Sequence, residues 1–459
     1  MSGIDRKRIW GWMFFDWASQ PYNTLLLTFV FSPYFATVVG DATRAQKLWG
    51  FGLTVAGLSV AVLAPLLGAV ADVNGRRMPW IAGFSVLYMA GAFGLWWAYP
   101  DSDNVTWILL AFGIGFVGME FATIFTNALL PDLGPRAALG RISGAGWAFG
   151  YAGGVLSLAL MLLFLAENDA GVTFLGIEPI LGLDPAVREG TRSVGPVVAI
   201  WYAVFMIPFF LWVRERPAPK IERAGRADTL RESLTGLWRT IRRLPRTRSL
   251  FAYLGAALFY RDALNGLYTF GGIYALGVLG WSVVDVGVFG ILAAVTGAIF
   301  AWAGGHADSR FGPKPVIATC ITVLLLVCTV VVTISQTSVL GLPVAPGSAL
   351  PDIAFYVCGC LIGAAGGALQ SASRTMMVRQ ADPDRMTEAF GLYALSGKST
   401  TWLAPLLIAV VTGATDSQRL GVTPLIVLFL IGLILLVWVE AQGESTATWS
   451  EPDPSLSRR

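Results

Sequence analysis

Charge is scarce in this chain of 459 residues: Asp, Glu, Lys and Arg together make up 13% of it, against about 25% in an ordinary soluble domain. Hydrophobic residues supply 55%, and the mean hydropathy is +0.65. So few charges cannot coat a water-facing globule of this size, so most of the surface is expected to face lipid. Cysteine is also rare. Cys320, Cys328, Cys358 and Cys360 all lie inside apolar runs, which excludes a disulfide framework or a metal-ligand spacing and makes them small core hydrophobes. The single histidine, His306, lies in a loop motif and is not expected to titrate usefully. No nucleophile, base and orienting group fall at usable spacing, so an enzyme is not expected, nor is any cofactor or metal. The net charge is only +3 and the basic residues crowd between apolar runs, which excludes nucleic-acid binding.

What the chain has is long apolar runs. About 20 apolar residues cross a bilayer as a helix, and twelve such runs can be marked, at 9–39, 48–71, 79–99, 106–130, 142–166 and 195–213, then 249–275, 283–305, 315–336, 353–378, 388–413 and 421–439. Arg6, Lys7 and Arg8 precede the first run in the manner of a signal peptide. That run continues from Ile9 to Val39 without a plausible cleavage site, so it is expected to be retained. With the N-terminus inside, the outer loops hold only Arg44, Lys47, Arg188, Arg192 and Arg419, whereas residues 214–248 hold eleven basic side chains. Positive residues stay on the cytoplasmic side, so both termini are expected there, in a bacterial inner membrane.

The expected organisation is a six-helix bundle over residues 1–213, a cytoplasmic basic linker over 214–248, a second six-helix bundle over 249–439 and a cytoplasmic tail over 440–459. Within the linker, Leu230, Leu234, Leu237, Ile241 and Leu244 recur at helical spacing, Thr229 and Glu232 form a capping box, and Arg231, Arg239, Arg242 and Arg243 flank the stripe. This predicts an interfacial helix on anionic lipid.

After the second run the sequence reads Gly68, three residues, Asp72, two residues, Gly75, Arg76, Arg77. After the eighth it reads Gly305, His306, Ala307, Asp308, Ser309, Arg310, Phe311, Gly312, Pro313, Lys314, with Ser309 at the Asp position and Asp308 one residue early. The two glycine-led loops occupy equivalent places in two halves, an internal repeat that coincidental basic loops would not produce. Other matches fail on context. Gly113, Gly115 and Gly118 satisfy a dinucleotide fingerprint but lie in an apolar helix with no strand before them. Gly391 to Ser399 has five residues between its glycines where a phosphate loop has four. Gly359, Gly363 and Gly367 at every fourth position predict a close helix-packing face.

The Gly68-to-Arg77 loop is the signature of the major facilitator transporters. Further motifs recur in order: Gly11-Trp12 with Phe15-Asp16-Trp17-Ala18, Arg141-Ile142-Ser143-Gly144, and Phe259-Tyr260-Arg261-Asp262 with Gly271-Gly272-Ile273-Tyr274. Gly366-Gly367 with Gln370, Ser373 and Arg374, and Ser396-Gly397-Lys398, complete the series. Together they resemble the "unknown major facilitator" family, related to fungal vacuolar amino-acid effluxers. The resemblance implies an all-α membrane protein with twelve transmembrane helices in two pseudo-symmetric six-helix bundles, the major facilitator fold. It also implies efflux of a small polar solute, and an amino acid is favoured. Arg261 and Ser309 depart from the family pattern.

Ionisable groups in a span are costly and point to function. Glu120 lies eleven residues before Pro131, roughly 16 Å in at 1.5 Å per residue, and Lys398 lies roughly 15 Å into its span. Both depths correspond to the midplane. Arg261, Asp262 and Asn265 fall near the centre of the seventh span and Gln370 near that of the tenth, so these six form the expected substrate or coupling-ion site. Glu120 or Asp262 would face an ammonium, Lys398 or Arg374 a carboxylate, and either carboxylate could carry a coupling proton. The alternative for Asp262 is an ion pair with Arg261 or Lys398. Asp16, Asn127 and Arg374 lie nearer the inner surface and are expected at the inner gate, together with Gly68, Asp72, Gly75, Arg76, Arg77, Gly305, Asp308, Gly312 and Lys314. The reading is a monomeric secondary carrier whose partners are a small-molecule solute, a coupling H+ and membrane lipid. The rivals are a sugar or glycoside symporter and a membrane sensor that has lost transport.

Overall fold

The computed structural model describes residues 5–168, 170–215, 235, 237–242, 244–281 and 283–443. Among the described residues ten helices are long and apolar enough to cross a membrane, and a bent pair, Arg6–Phe29 with Phe31–Val39, makes an eleventh. The twelfth, Arg248–Tyr274, is long enough, but Arg248, Arg261 and Asp262 lower its apolarity. In chain order the first half consists of α1 (Arg6–Phe29 with Phe31–Val39), α2 (Ala42–Asn74), α3 (Met78–Trp97), α4 (Val105–Asn127), α5 (Arg136–Phe164) and α6 (Glu189–Trp212). The second half consists of α7 (Arg248–Tyr274), α8 (Val283–Phe311), α9 (Pro313–Thr333), α10 (Leu350–Gln380), α11 (Pro383–Thr415) and α12 (Gln418–Leu436). A short hairpin, Ser338–Val339 with Leu342–Pro343, lies between α9 and α10.

Local chemistry sets the boundaries. Pro79, Pro313, Pro351 and Pro424 each occupy the first turn of a helix, where the missing N–H costs nothing. Asp5 and Asp41 cap α1 and α2 through their carboxylates. Two expected spans are not continuous α-helices. α1 passes into π-helical turns over Tyr22–Phe29 after Pro21 and bends by 47° at the break. α11 runs from Met386 to Lys398, opens over residues 399–402 and restarts at Leu403–Thr415. α7, the counterpart of α1, also passes into π-helical turns, over Ala275–Leu279.

The halves meet through two equivalent helix pairs, α2 with α11 and α5 with α8. Glycine permits the approach. A Cβ on Gly144 would lie 2.5 Å from the Ala301 carbonyl oxygen, and one on Gly305 2.6 Å from that of Gly140. Within the second half, Gly359, Gly363 and Gly367 admit α8, so the four-residue glycine spacing is a packing face, as its period predicts. Of the three fingerprint glycines, Gly118 packs against α3 and Gly115 against Tyr22 of α1 and Ala92 of α3, whereas a Cβ on Gly113 would meet nothing within 4 Å.

Of the expected linker helix, Leu237, Ile241, Arg239 and Arg242 lie in helical turns and Leu237 is buried in the core. Thr229, Leu230, Arg231, Glu232, Leu234 and Arg243 lie outside the described residues.

Candidate functional site

The halves close on each other at the end where α1 begins and α12 ends, and the two loop motifs show how. Gly68 lets the Thr387 carbonyl approach, since a Cβ there would come within 2.6 Å of it. Asp72 then reaches the start of α11: Oδ1 accepts the Thr387 N–H at 3.2 Å and Oδ2 the Glu388 N–H at 2.8 Å. A carboxylate at a helix N-terminus satisfies donors that have no partner within the helix and meets the positive end of its dipole. Arg77 braces it, donating from Nη2 to Asp72 at 3.2 Å and from Nε to the Thr387 hydroxyl at 2.7 Å. Gly75 ends α2 at φ 64°, a left-handed conformation that favours glycine. Arg76 is exposed and takes no part in this contact.

The second copy is built differently, as its sequence departure predicts. Ser309, at the Asp position, accepts the Arg141 N–H of α5 at 3.0 Å. A neutral hydroxyl thus makes the contact between the halves. Asp308 is fully buried and turns to its own half, accepting from the Thr375 hydroxyl with Arg379 at 3.9 Å. Gly305 and Gly312 repeat the two glycine roles, close approach and positive φ (88°). Lys314 donates to the Val437 and Val439 carbonyls at 3.2 and 2.6 Å, closing the C-terminus of α12 within one half.

An ion pair lies further in. Arg374 of α10 meets Asp16 of α1 through Nη1 to Oδ2 at 3.0 Å and Nη2 to Oδ1 at 3.4 Å. Its guanidinium lies over Trp12 at 4.9 Å and Trp147 at 5.2 Å. The Trp12 indole donates to the Thr126 carbonyl at 2.9 Å, beside Asn127, whose Oδ1 is buried without a partner.

Deeper still, Lys398 of α11 and Glu120 of α4 pair across the halves at 2.7 Å, with the ammonium 5.0 Å from the Phe116 ring centroid. Their side chains keep 21% and 17% exposure, so neither is sealed inside the packed core. Lys398 is the last residue before the break in α11, which places its ammonium at a helix end. Arg261 donates to the Tyr393 carbonyl at 3.1 Å, with its guanidinium 4.3 Å over that ring and packed against Gly397. Gln370 of α10 interacts with Tyr151 of α5, which also faces Tyr268 of α7. Asn265 is exposed on α7.

Asp262 stands apart from the other charges, without the ion pair that was its alternative role. It pairs with neither Arg261 nor Lys398. One carboxylate oxygen accepts the Ala404 N–H at 2.9 Å, capping the restart of α11. Helical geometry explains the separation, since adjacent residues on α7 point about 100° apart, given 3.6 residues per turn.

Sequence reasoning missed the aromatic partners Trp147, Tyr151, Tyr268 and Tyr393. An aromatic residue in an apolar span reads as core, and no local signal marks those that face a polar group. It also missed that Thr387 and Glu388 receive Asp72, a contact between residues more than 300 positions apart.

One prediction follows from the Asp72 contact. Asp72→Asn keeps the size but loses the charge at the α11 terminus, a loss of about 1 kcal/mol. Turnover is expected to fall about fivefold for that energy with solute affinity kept, because Asp72 and the Glu120–Lys398 pair are separate. Solute counterflow in proteoliposomes measures both quantities, and unchanged turnover would remove Asp72 from the inner gate.

Residues 136–447 match the family described as "Vacuole effluxer Atg22 like". The chain is 25% identical to an uncharacterised MFS-type transporter, YxiO of Bacillus subtilis, over 97% of each protein. It is 28% identical to autophagy-related protein 22-2 of Emericella nidulans over 66% of this chain and 51% of that one, so it spans about half the length of that fungal relative. Among solved structures it resembles the human organic anion transporter MFSD10, with TM-score 0.68 and 17% identity over 94% of this chain and 99% of that one. It also resembles the transporter FucP in the outward conformation, with TM-score 0.66 and 16% identity over 97% and 100%.

Proposed function

Because the chain belongs to the vacuole effluxer Atg22-like family of major facilitator transporters, we propose that it carries a small zwitterionic solute, an amino acid by preference, between Glu120 and Lys398. The observation that supports this reading is the 2.7 Å pair itself, formed between opposite halves and partly exposed at both members. A solute ammonium would replace Lys398 at Glu120, and a solute carboxylate would replace Glu120 at Lys398. Each exchange conserves charge pairing away from bulk water, where unpaired ions are costly. Movement between the two sides then requires the shut end to open while the opposite end closes, the rocking of two halves about a central site.

In this reading residues 1–213 and 249–439 are the two rocking units and 214–248 tethers them on the cytoplasmic side of a bacterial inner membrane. Asp16–Arg374, Asp72 on α11 and Ser309 on α5 are the contacts that part. Coupling to protons supplies the driving force.

The test is a thermal-shift screen of the purified protein against amino acids, sugars and organic acids, followed by counterflow of the hits. A solute at one hundred times its Kd stabilises the native state by about 2.7 kcal/mol, so neutral amino acids are expected to raise the melting temperature. Tyr151, Tyr268 and Gln370 give a sugar a stacking and amide surface, so stabilisation by sugars alone would transfer the reading to that class. Binding of a solute without counterflow would identify a sensor.

A further inference from the structure

Two adjacent residues of α7 hold α11 on opposite sides of its break. Arg261 bonds the Tyr393 carbonyl in the segment that ends at Lys398, and Asp262 bonds the Ala404 N–H in the segment that restarts at Leu403. Asp262 is only 2% exposed, and its Oδ1 is buried with no hydrogen-bond partner. The Thr400 hydroxyl, within the break itself, is also buried and unpartnered.

No counter-charge serves this carboxylate among the described residues. On α7 itself, Arg261 turns to Tyr393 and Tyr260 to the Ser373 hydroxyl. From α11, Lys398 turns to Glu120, and from α10, Arg374 turns to Asp16. The long segment of α12, Thr423–Leu436, carries no ionisable residue. A carboxylate removed from water with one oxygen unsatisfied carries a large solvation cost, which binding a proton cancels. Glu120, by contrast, already has a cationic partner in Lys398.

We propose that Asp262 is the proton-binding site of this carrier, and that its protonation state sets the break in α11 and with it the position of Lys398. The proposal rests on the carrier reading above and adds where the coupling ion binds. The ionised carboxylate holds the N-terminus of the 403–415 segment by charge and hydrogen bond together. Taking up a proton at the free Oδ1 removes the charge but leaves Oδ2 an acceptor, so the grip on Ala404 weakens while the fold persists. Lys398 lies six residues before Ala404, directly before the break. A change there moves its ammonium relative to Glu120, and that links proton binding to solute binding.

The experiment needs no solute. Proteoliposomes of the full chain on a solid-supported membrane receive a pH step, and the transient current reports protons bound by the protein. The wild type is expected to give a current that is lost in Asp262→Asn, whose amide oxygen still accepts from Ala404. Infrared difference spectra across the same pH range give a second readout. A protonated-carboxyl band is expected in the wild type, absent in Asp262→Asn and shifted in frequency in Asp262→Glu. The proposal is overturned if the wild type gives neither signal, if Asp262→Asn retains both, or if the current disappears in Glu120→Gln while persisting in Asp262→Asn. The carrier reading fails separately, by the absence of solute counterflow.

Discussion

Replacing Arg374 with methionine leaves Asp16 mostly buried, at 13% side-chain exposure, and unpaired, and this is expected to be among the most damaging single changes in the protein. Breaking a buried ion pair from one side costs about 3–5 kcal/mol. Arg374 also loses its two cation–π contacts with Trp12 and Trp147, each worth about 1 kcal/mol. Asp16→Asn removes the other charge and is expected to cost less, because an arginine head between two indole faces keeps part of its stabilisation. The double variant Asp16→Asn/Arg374→Met is expected to be more stable than Arg374→Met alone, yet to fail to hold the shut end closed. Thermal unfolding of the four proteins gives the coupling energy. The labelling rate of a cysteine introduced at Ser143 reports closure, since the Ser143 hydroxyl bonds the Ser371 carbonyl across the halves in the shut state. Strictly additive effects of the two substitutions would exclude the pair as a gate.

Lys398→Met and Glu120→Gln are expected to lower solute affinity in different ways. Each removes a charge-assisted contact worth about 2 kcal/mol, which is roughly thirtyfold in Kd. If the pair holds a zwitterion, Lys398→Met should discriminate against a solute's carboxylate: an amino-acid amide or amine should lose less affinity than the parent amino acid. Glu120→Gln should do the reverse, sparing compounds without an ammonium. Isothermal titration of both variants with the hit solute and its two singly charged analogues measures this. An equal loss for all three ligands in both variants would mean that the pair holds the halves together and touches no solute.

The same pair shows how far a sequence can be read. Glu120 and Lys398 were both legible, because an ionisable residue in an apolar run is costly and its distance from the nearest span end gives its depth. That they meet each other was not legible, since they lie 278 residues apart and belong to different halves. Asp262 illustrates the opposite limit. Its position in a span marks it as notable, but facing a cavity and capping a broken helix leave the same trace in the sequence. The break in α11 was itself invisible: the Ser399–Trp402 segment has no proline or glycine, and its turn is held by tertiary contacts and by the carboxylate from α7. The bend in α1 carried a signal in Pro21, though not its extent.

The amino-acid sequence determined the solvent, the number of spans and the two-fold internal repeat, because these depend on apolar length, on charge placement and on motifs a few residues long. The two motif glycines in each half were readable for the same reason. Local backbone geometry demands Gly75 and Gly312, at positive φ, whereas the close helix approach that Gly68 and Gly305 permit is made only when the halves meet. Tertiary structure alone decided which charges pair: Asp16 with Arg374, Glu120 with Lys398, Asp72 with a helix terminus and Asp262 with another. Each pairing joins elements far apart in the chain. Side-chain direction on a helix turns by about 100° per residue, so a residue's partner depends on helix rotation and on which end of the molecule is closed. Those quantities are fixed only when all twelve helices have packed.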